Sequence, residues 1–170
     1  MIYFTSDLHL GHNAAIRMCE RPFENVEEMN QVLINNINAR VHKDDTLYIL
    51  GDLAHRTPVE QVNQLIAQIN GKKILIKGNH DKNYDASLFE GIYDFLEVHF
   101  NGHSISLMHF PMEEWPKSRY GSIHLHGHQH NKPEHNLKQR ENGVFKYDVG
   151  VDANYYCPVS LQDILAFMGR

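Results

Sequence analysis

At 170 residues, 42% hydrophobic and 22% charged, the chain is long enough to bury one core, and its near-average composition excludes intrinsic disorder. A formal net charge of −5 excludes the global basic field that draws proteins onto nucleic acid and leaves only a local patch for that role. No apolar run reaches the length of a membrane span, the start Met1-Ile2-Tyr3-Phe4-Thr5-Ser6-Asp7 lacks the form of a signal peptide, and Cys19 and Cys157 are too few for a disulfide framework.

One domain over residues 1–170 is expected, with no membrane association, a cytoplasmic setting and two idle thiols. Its elements follow in chain order. Ile2 to Thr5 reads as a strand. Asn25 with Glu28 forms a capping box, opening a helix whose Val26, Met29, Leu33 and Ile37 share one face. Residues 46–50 form the next strand. Thr57, Pro58 and Glu60 supply an N-cap, a first-turn proline and a capping glutamate, and the stripe Val59, Val62, Leu65, Ile66 and Ile69 runs on to a stop at Gly71. Residues 73–76 are again extended. Phe95 to Phe100 and residues 104–108 flank Asn101-Gly102, the strongest short hairpin signal. A strand over 122–125 precedes a polar stretch, 131–143, which reads as an exposed loop before the run 144–149. Ser160 with Asp163 opens a last helix through Leu161, Ile164, Leu165 and Met168. Strands alternating with helices give an α/β architecture.

The abnormal count is 13 histidines against 16 Lys plus Arg, and their positions carry the functional reading. Five apolar runs each end in oxygen or nitrogen ligands: Asp7-Leu8-His9, Gly51-Asp52, Gly78-Asn79-His80-Asp81, His109, and Gly127-His128-Gln129-His130. In α/β sheets functional groups gather where strands give way to loops at their carboxyl ends, so five distant termini can converge on one site. Any one of these blocks is weak; five in order are not readily accidental.

The order Asp-x-His, Gly-Asp, Gly-Asn-His-Asp, His, Gly-His-x-His resembles the calcineurin-like metallophosphoesterase superfamily. Ser6-Asp7-Leu8-His9-Leu10-Gly11-His12, Arg21-Pro22-Phe23, Val26-Glu27-Glu28-Met29-Asn30 and His109-Phe110-Pro111 are similar to its small bacterial and phage phosphoesterases. The chain departs from that subgroup at Ala14, where an asparagine stands in the pattern.

The resemblance implies a four-layer αββα sandwich, two mixed β-sheets flanked by helices, with metals at one edge. One metal would be held by Asp7, His9, Asp52 and His130, a second by Asp52, Asn79, His109 and His128, with Asp52 bridging. His80 would protonate the leaving oxygen, with Asp81 orienting it. Imidazoles mixed with carboxylates and an amide suit a transition-metal pair, manganese first, with iron, zinc or nickel as alternatives. The implied reaction is in-line attack by a dimetal-activated hydroxide on a phosphomonoester or phosphodiester, the partner being a small-molecule or nucleotide phosphate ester.

His12, His55 and Arg21 are candidates for substrate binding, although an arginine holding a loop is an equal reading of Arg21. His42, His99, His103 and His135 read as exposed, and His124 and His126 as sheet-face residues first, with supports behind the ligands as the other reading. Trp115, Tyr120, Tyr155 and Tyr156 are pocket walls or core. Two alternatives stand beside the esterase. A nuclease on DNA or RNA would use Lys117, Arg119, Lys132, Lys138 and Arg140 along one flank of the site. A non-catalytic binding scaffold would be expected to show a broken ligand set, and here every ligand is present. The natural substrate and oligomeric state are open.

Overall fold

The computed structural model describes residues 1–170, which form an αββα sandwich of two mixed sheets flanked by helices. The first sheet contains β1 (Ile2–Thr5), β2 (Thr46–Ile49), β3 (Lys72–Ile76), β4 (Gly91–Tyr93) and β9 (Val159–Ser160), in the order β4-β3-β2-β1-β9. Its four lower-numbered strands run parallel and β9 antiparallel to β1. The second sheet orders β5 (Phe95–Phe100), β6 (His103–Met108), β7 (Ile123–His126) and β8 (Lys146–Asp148) consecutively. The hairpin at Asn101-Gly102 pairs β5 with β6, and β6, β7 and β8 are parallel.

Strand alternation separates two cores. Tyr3, Leu47, Ile49 and Leu75 face α2 (Val26–Arg40) and α3 (Val59–Ile66), joining Met29, Leu33, Ile37, Val62 and Ile66. Phe4, Tyr48, Leu50 and Ile76 point the other way and meet Ile105, Leu107, Ile123, Leu125 and Tyr147 between the sheets, where α5 (Leu161–Phe167) adds Leu161, Ile164 and Leu165. The caps of α2 and α5 are as the residues indicate: Asn25 accepts from the Glu28 N–H and Ser160 from the Asp163 N–H. Thr57 departs from its expected role. Pro58 occupies the N-cap of α3, and the Thr57 hydroxyl donates instead to the Leu10 carbonyl at 3.0 Å.

The stretch 131–143 is a correction. It contains α4 (Glu134–Glu141), which has no apolar stripe to announce it. Its anchor is polar: the Asn136 amide donates to the Asp148 carbonyl at 2.9 Å, and its oxygen accepts the Asp148 N–H at 2.8 Å. Elements too short to show a period, α1 (Asn13–Met18), β4 and β9, also escaped the sequence reading. No helix is long and apolar enough to cross a membrane.

Candidate metal centre

Register brings the parallel strand ends level: Thr5 pairs with Ile49 and Ile49 with Leu75 in one sheet, Leu107 with Leu125 and His126 with Asp148 in the other. A bridge between Ser6 and Gly150 joins the sheets beside these ends. The first two ligand loops are laced together, Asp7 N–H donating to Gly51 O, His9 N–H to Asp52 O and Leu10 N–H to Leu53 O, at 3.0, 3.0 and 2.8 Å.

The backbone there is strained. Asp7, His9, Asp52, His128 and His130 all have positive φ, between 49° and 71°, a left-handed conformation that costs about 1–3 kcal/mol for a residue with a Cβ and persists only where its surroundings impose it. Five of the seven expected ligands share it. Close approach matters equally. A Cβ on Gly127 would overlap Ser6 Oγ and Asp7 Oδ2, and one on Gly78 would overlap Asp52 Oδ1.

The side chains assemble into two groups whose ligand atoms lie within 4.8 Å of one another, Asp7 with His9 and His130, and Asp52 with His109 and His128. Asp52 joins them. Its Oδ1 accepts the His80 N–H at 3.0 Å, while Oδ2 lies 3.7 Å from His9 Nε2 and 3.5 Å from His109 Nε2. One oxygen, rather than one per side, therefore faces both groups. Asn79 comes in on the second, its Oδ1 3.1 Å from His109 Nε2.

The fit to cations follows from the unsatisfied atoms. Asp7 Oδ2 accepts the His128 N–H at 2.9 Å, leaving Oδ1 buried without a partner; His9 Nδ1 is likewise buried and unpaired. His9 Nε2 and His130 Nε2 face each other at 3.2 Å, and His130 Nδ1 lies 2.8 Å from Asp152 Oδ2. His109 Nδ1 donates to the Leu50 carbonyl at 2.7 Å, so in the neutral ring Nε2 offers a lone pair toward the oxygens of Asn79 and Asp52. Electron pairs converging at buried positions need a proton or a cation between them. Imidazole, carboxylate and amide donors fit divalent transition ions.

Electrostatics without an ion show the same demand. Burial raises Asp7 to about 6. Burial alone would also raise Asp52, but the adjoining His109 imidazole and the His80 N–H reverse this and bring it to about 2. Burial, assisted by the neighbouring His130, lowers His9 to about 3. Burial would lower His130 too, yet the Asp152 carboxylate, with Cys19, lifts it to about 10. A cation among these groups would relieve the same burial of carboxylate and imidazole that shifts them.

Several roles differ from expectation. Arg21 is wholly enclosed and cannot reach substrate phosphate: it forks onto Asp152 at 3.0 and 2.9 Å and donates to the carbonyls of Asp7 at 2.7 Å and Leu8 at 3.0 Å. It braces Asp152, which in turn holds His130. The Asp81 carboxylate makes no hydrogen bond to the His80 ring. It accepts from the N–H groups of Asp52, Leu53 and Gly78 and from the Tyr84 hydroxyl, tying two ligand loops together.

His9, His12, Asp52, His55, His80, His128 and His130 line one cleft of about 540 Å³, together with Cys19 and Arg56. The His55 and His80 rings are 3.9 Å apart and His12 meets His55 edge-on at 4.8 Å. The basic residues expected along a flank are elsewhere, Lys117 on Glu97, Arg119 on Glu114, Lys132 on Glu20 and Arg140 over Phe167, and with Lys138 they are absent from the cleft wall. Trp115, Tyr120, Tyr155 and Tyr156 are absent from it too. His124 and His126 are buried in the second sheet; the former accepts the Met112 N–H at 3.0 Å, and burial lowers it to about 4. Asp152 is the residue that sequence reasoning missed. The signal was present: the run 144–149 is followed by Gly150-Val151-Asp152, a glycine with an acid two residues on.

The sequence profile of the calcineurin-like phosphoesterase family matches residues 1–148. An uncharacterized protein of Methanocaldococcus jannaschii is 35% identical over 175 residues, covering 99% of this chain and 92% of that one. The gene 66 protein of Mycobacterium phage L5 is 32% identical over 160 residues, covering 76% of this chain and 77% of the phage protein. The crystal structure of a protein of unknown function from Aquifex aeolicus superposes with a TM-score of 0.76 at 28% identity, over 96% of this chain and 97% of that one.

Proposed function

This chain belongs to the calcineurin-like phosphoesterase family, and we propose that it hydrolyses phosphodiester or phosphomonoester bonds of small molecules or nucleotides with a pair of divalent transition-metal ions, manganese first. Residues 1–170 act as one domain in this reading. The observation that carries it is Asp52 Oδ2, set between His9 Nε2 at 3.7 Å and His109 Nε2 at 3.5 Å at the seam of two ligand groups.

Asp7, His9, Asp52 and His130 would hold one ion, and Asp52, Asn79, His109 and His128 the other. Bound there, the ions supply a water of lowered pKa and neutralise phosphate oxygens. The protein does the rest. Arg21 fixes Asp152, Asp152 fixes the His130 ring, and Asp81 holds the Asp52 and Gly78 loops in register. Hydrolysis forms a bond from the water oxygen to phosphorus, breaks the bond to the leaving oxygen and returns a proton to that oxygen. His80 lines the cleft with its backbone N–H tied to Asp52, and in this reading its ring would donate this proton.

The test is metal analysis of protein purified with manganese, followed by assay on bis(p-nitrophenyl) phosphate and p-nitrophenyl phosphate. His80→Ala should retain metal and lose about 10²- to 10⁴-fold in kcat. Absence of turnover on both compounds with manganese, nickel, zinc and iron refutes the proposal.

A further inference from the structure

The cleft beside the ligand groups is walled mainly by imidazoles and small apolar side chains, with Asp52 as its acid and Arg56 as its only lysine or arginine. Arg56 is exposed and takes part in none of the chain's ion pairs, whose cationic lysines and arginines are Arg21, Lys77, Lys117, Arg119 and Lys132. Its backbone lies in the left-handed region at φ 53°, where a residue with a Cβ persists only if its neighbours enforce it. They do. Leu53 N–H is held by Asp81, Ala54 bridges to Leu10, and the Thr57 hydroxyl donates to the Leu10 carbonyl. The loop is clamped on both sides of Arg56, so a free guanidinium is presented at the cleft in a conformation the chain would not otherwise choose.

Arg56 shares the cleft wall with His12, His55 and His80. The His80 ring lies 3.9 Å from His55, His55 lies 4.8 Å from His12, and Arg56 follows His55 in the chain. His12 and His55 are lowered first by burial and then by positive neighbours, Arg56 among them. A group departing toward His80 enters a wall formed by His12, His55 and the Arg56 guanidinium, with Asp52 as the one acid of the cleft. An uncompensated guanidinium in such a wall favours an anion and pairs well with phosphate oxygens.

We propose that Arg56 binds a second phosphate on the leaving portion of the substrate, so that the preferred substrates are linear phosphodiesters with a further phosphate beside the scissile one, as in a short oligonucleotide, rather than cyclic mononucleotides or esters with an uncharged leaving group. This assignment rests on the phosphodiesterase reading above. It also places specificity in one local cation rather than in the overall charge, which is negative.

The experiment compares manganese-loaded wild type, Arg56→Gln and Arg56→Lys on three thymidine dinucleotides: the internal diester alone, its 5′-phosphorylated form and its 3′-phosphorylated form. Products are separated by chromatography, so that removal of the terminal phosphate is scored apart from internal cleavage. In wild type, kcat/KM for at least one phosphorylated form should exceed that for the unphosphorylated dinucleotide by about tenfold, equivalent to about 1.4 kcal/mol. In Arg56→Gln that advantage should fall below about twofold, with Arg56→Lys between the two. Calorimetric binding of thymidine 3′,5′-bisphosphate should weaken by about tenfold in Arg56→Gln. An equal advantage in wild type and Arg56→Gln, or none in wild type, overturns the assignment. Cleavage of bis(p-nitrophenyl) phosphate without cleavage of any dinucleotide also overturns it while leaving the diesterase reading intact; inactivity on all four diesters with manganese, nickel, zinc and iron removes both.

Discussion

Replacing Asp81 by asparagine removes one oxygen from a carboxylate whose two oxygens are both in use. Oδ2 accepts the N–H groups of Asp52 at 2.9 Å and Gly78 at 2.8 Å, and Oδ1 accepts the Leu53 N–H at 2.9 Å and the Tyr84 hydroxyl at 3.1 Å. The least costly orientation of the amide keeps its oxygen on Asp52 and Gly78 and turns its NH2 toward Leu53 and Tyr84. Tyr84 can rotate to accept, but the Leu53 N–H then opposes a donor, and Leu53 is fully buried. One buried unsatisfied donor costs about 1–3 kcal/mol, and loss of the charge weakens the remaining bonds by about 1 kcal/mol more. The sum is about 2–4 kcal/mol, which in a chain of this size lowers the thermal midpoint by about 5–15 °C. Because the same carboxylate positions the Asp52 backbone, manganese affinity should drop by about 10- to 100-fold. Scanning calorimetry of the metal-free protein and a manganese titration measure the two effects. An Asp81→Asn protein that melts with wild type and binds manganese equally well would falsify the bracing role.

Arg21→Ala leaves the Asp152 carboxylate buried without its cation and should cost about 3–5 kcal/mol in denaturant unfolding; a loss within about 0.5 kcal/mol contradicts the enclosed ion pair. Gly127→Ala places a methyl group against Ser6 and Asp7, so stability should fall by about 1–3 kcal/mol and manganese binding with it; wild-type affinity in that variant would show that the close approach is not needed. Asp152 supplies a pH signature in the metal-free protein. Burial alone would raise its carboxyl, but His130 and the Arg21 guanidinium reverse this and hold it at about 2, below the ordinary 3.8. A depressed carboxyl contributes stability that is fully present above 3.8 and is lost as pH falls through about 2, here about 2 kcal/mol. The stability difference between wild type and Asp152→Asn should therefore shrink as pH falls from 5 toward 2, and a difference that stays constant over that range rules the linkage out.

Much of the fold was legible because its signals are local. Alternating apolar strands, the Asn25 and Ser160 caps and the Asn101-Gly102 turn each depend on a few neighbouring residues, and each formed where the residues indicate. Where the local signal is polar or too short, it failed: α4 is held by Asn136 on the Asp148 backbone rather than by an apolar face, and the Thr57 hydroxyl donates to the Leu10 carbonyl rather than accepting from the first turn of the helix it precedes.

The residues of the candidate centre were determined in the sequence by their place after successive strands, since parallel strands in register put their ends on one edge of each sheet. Only the tertiary structure decided what each neighbour does. Whether Arg21 meets phosphate or Asp152, 131 residues away, whether Asp81 steers a ring or clamps two loops, and whether Arg56 stands free in the cleft all depend on which distant groups pack beside it. A buried polar side chain takes whatever partners the packed fold brings within about 3 Å of it, because leaving it unpaired costs more than any local preference supplies.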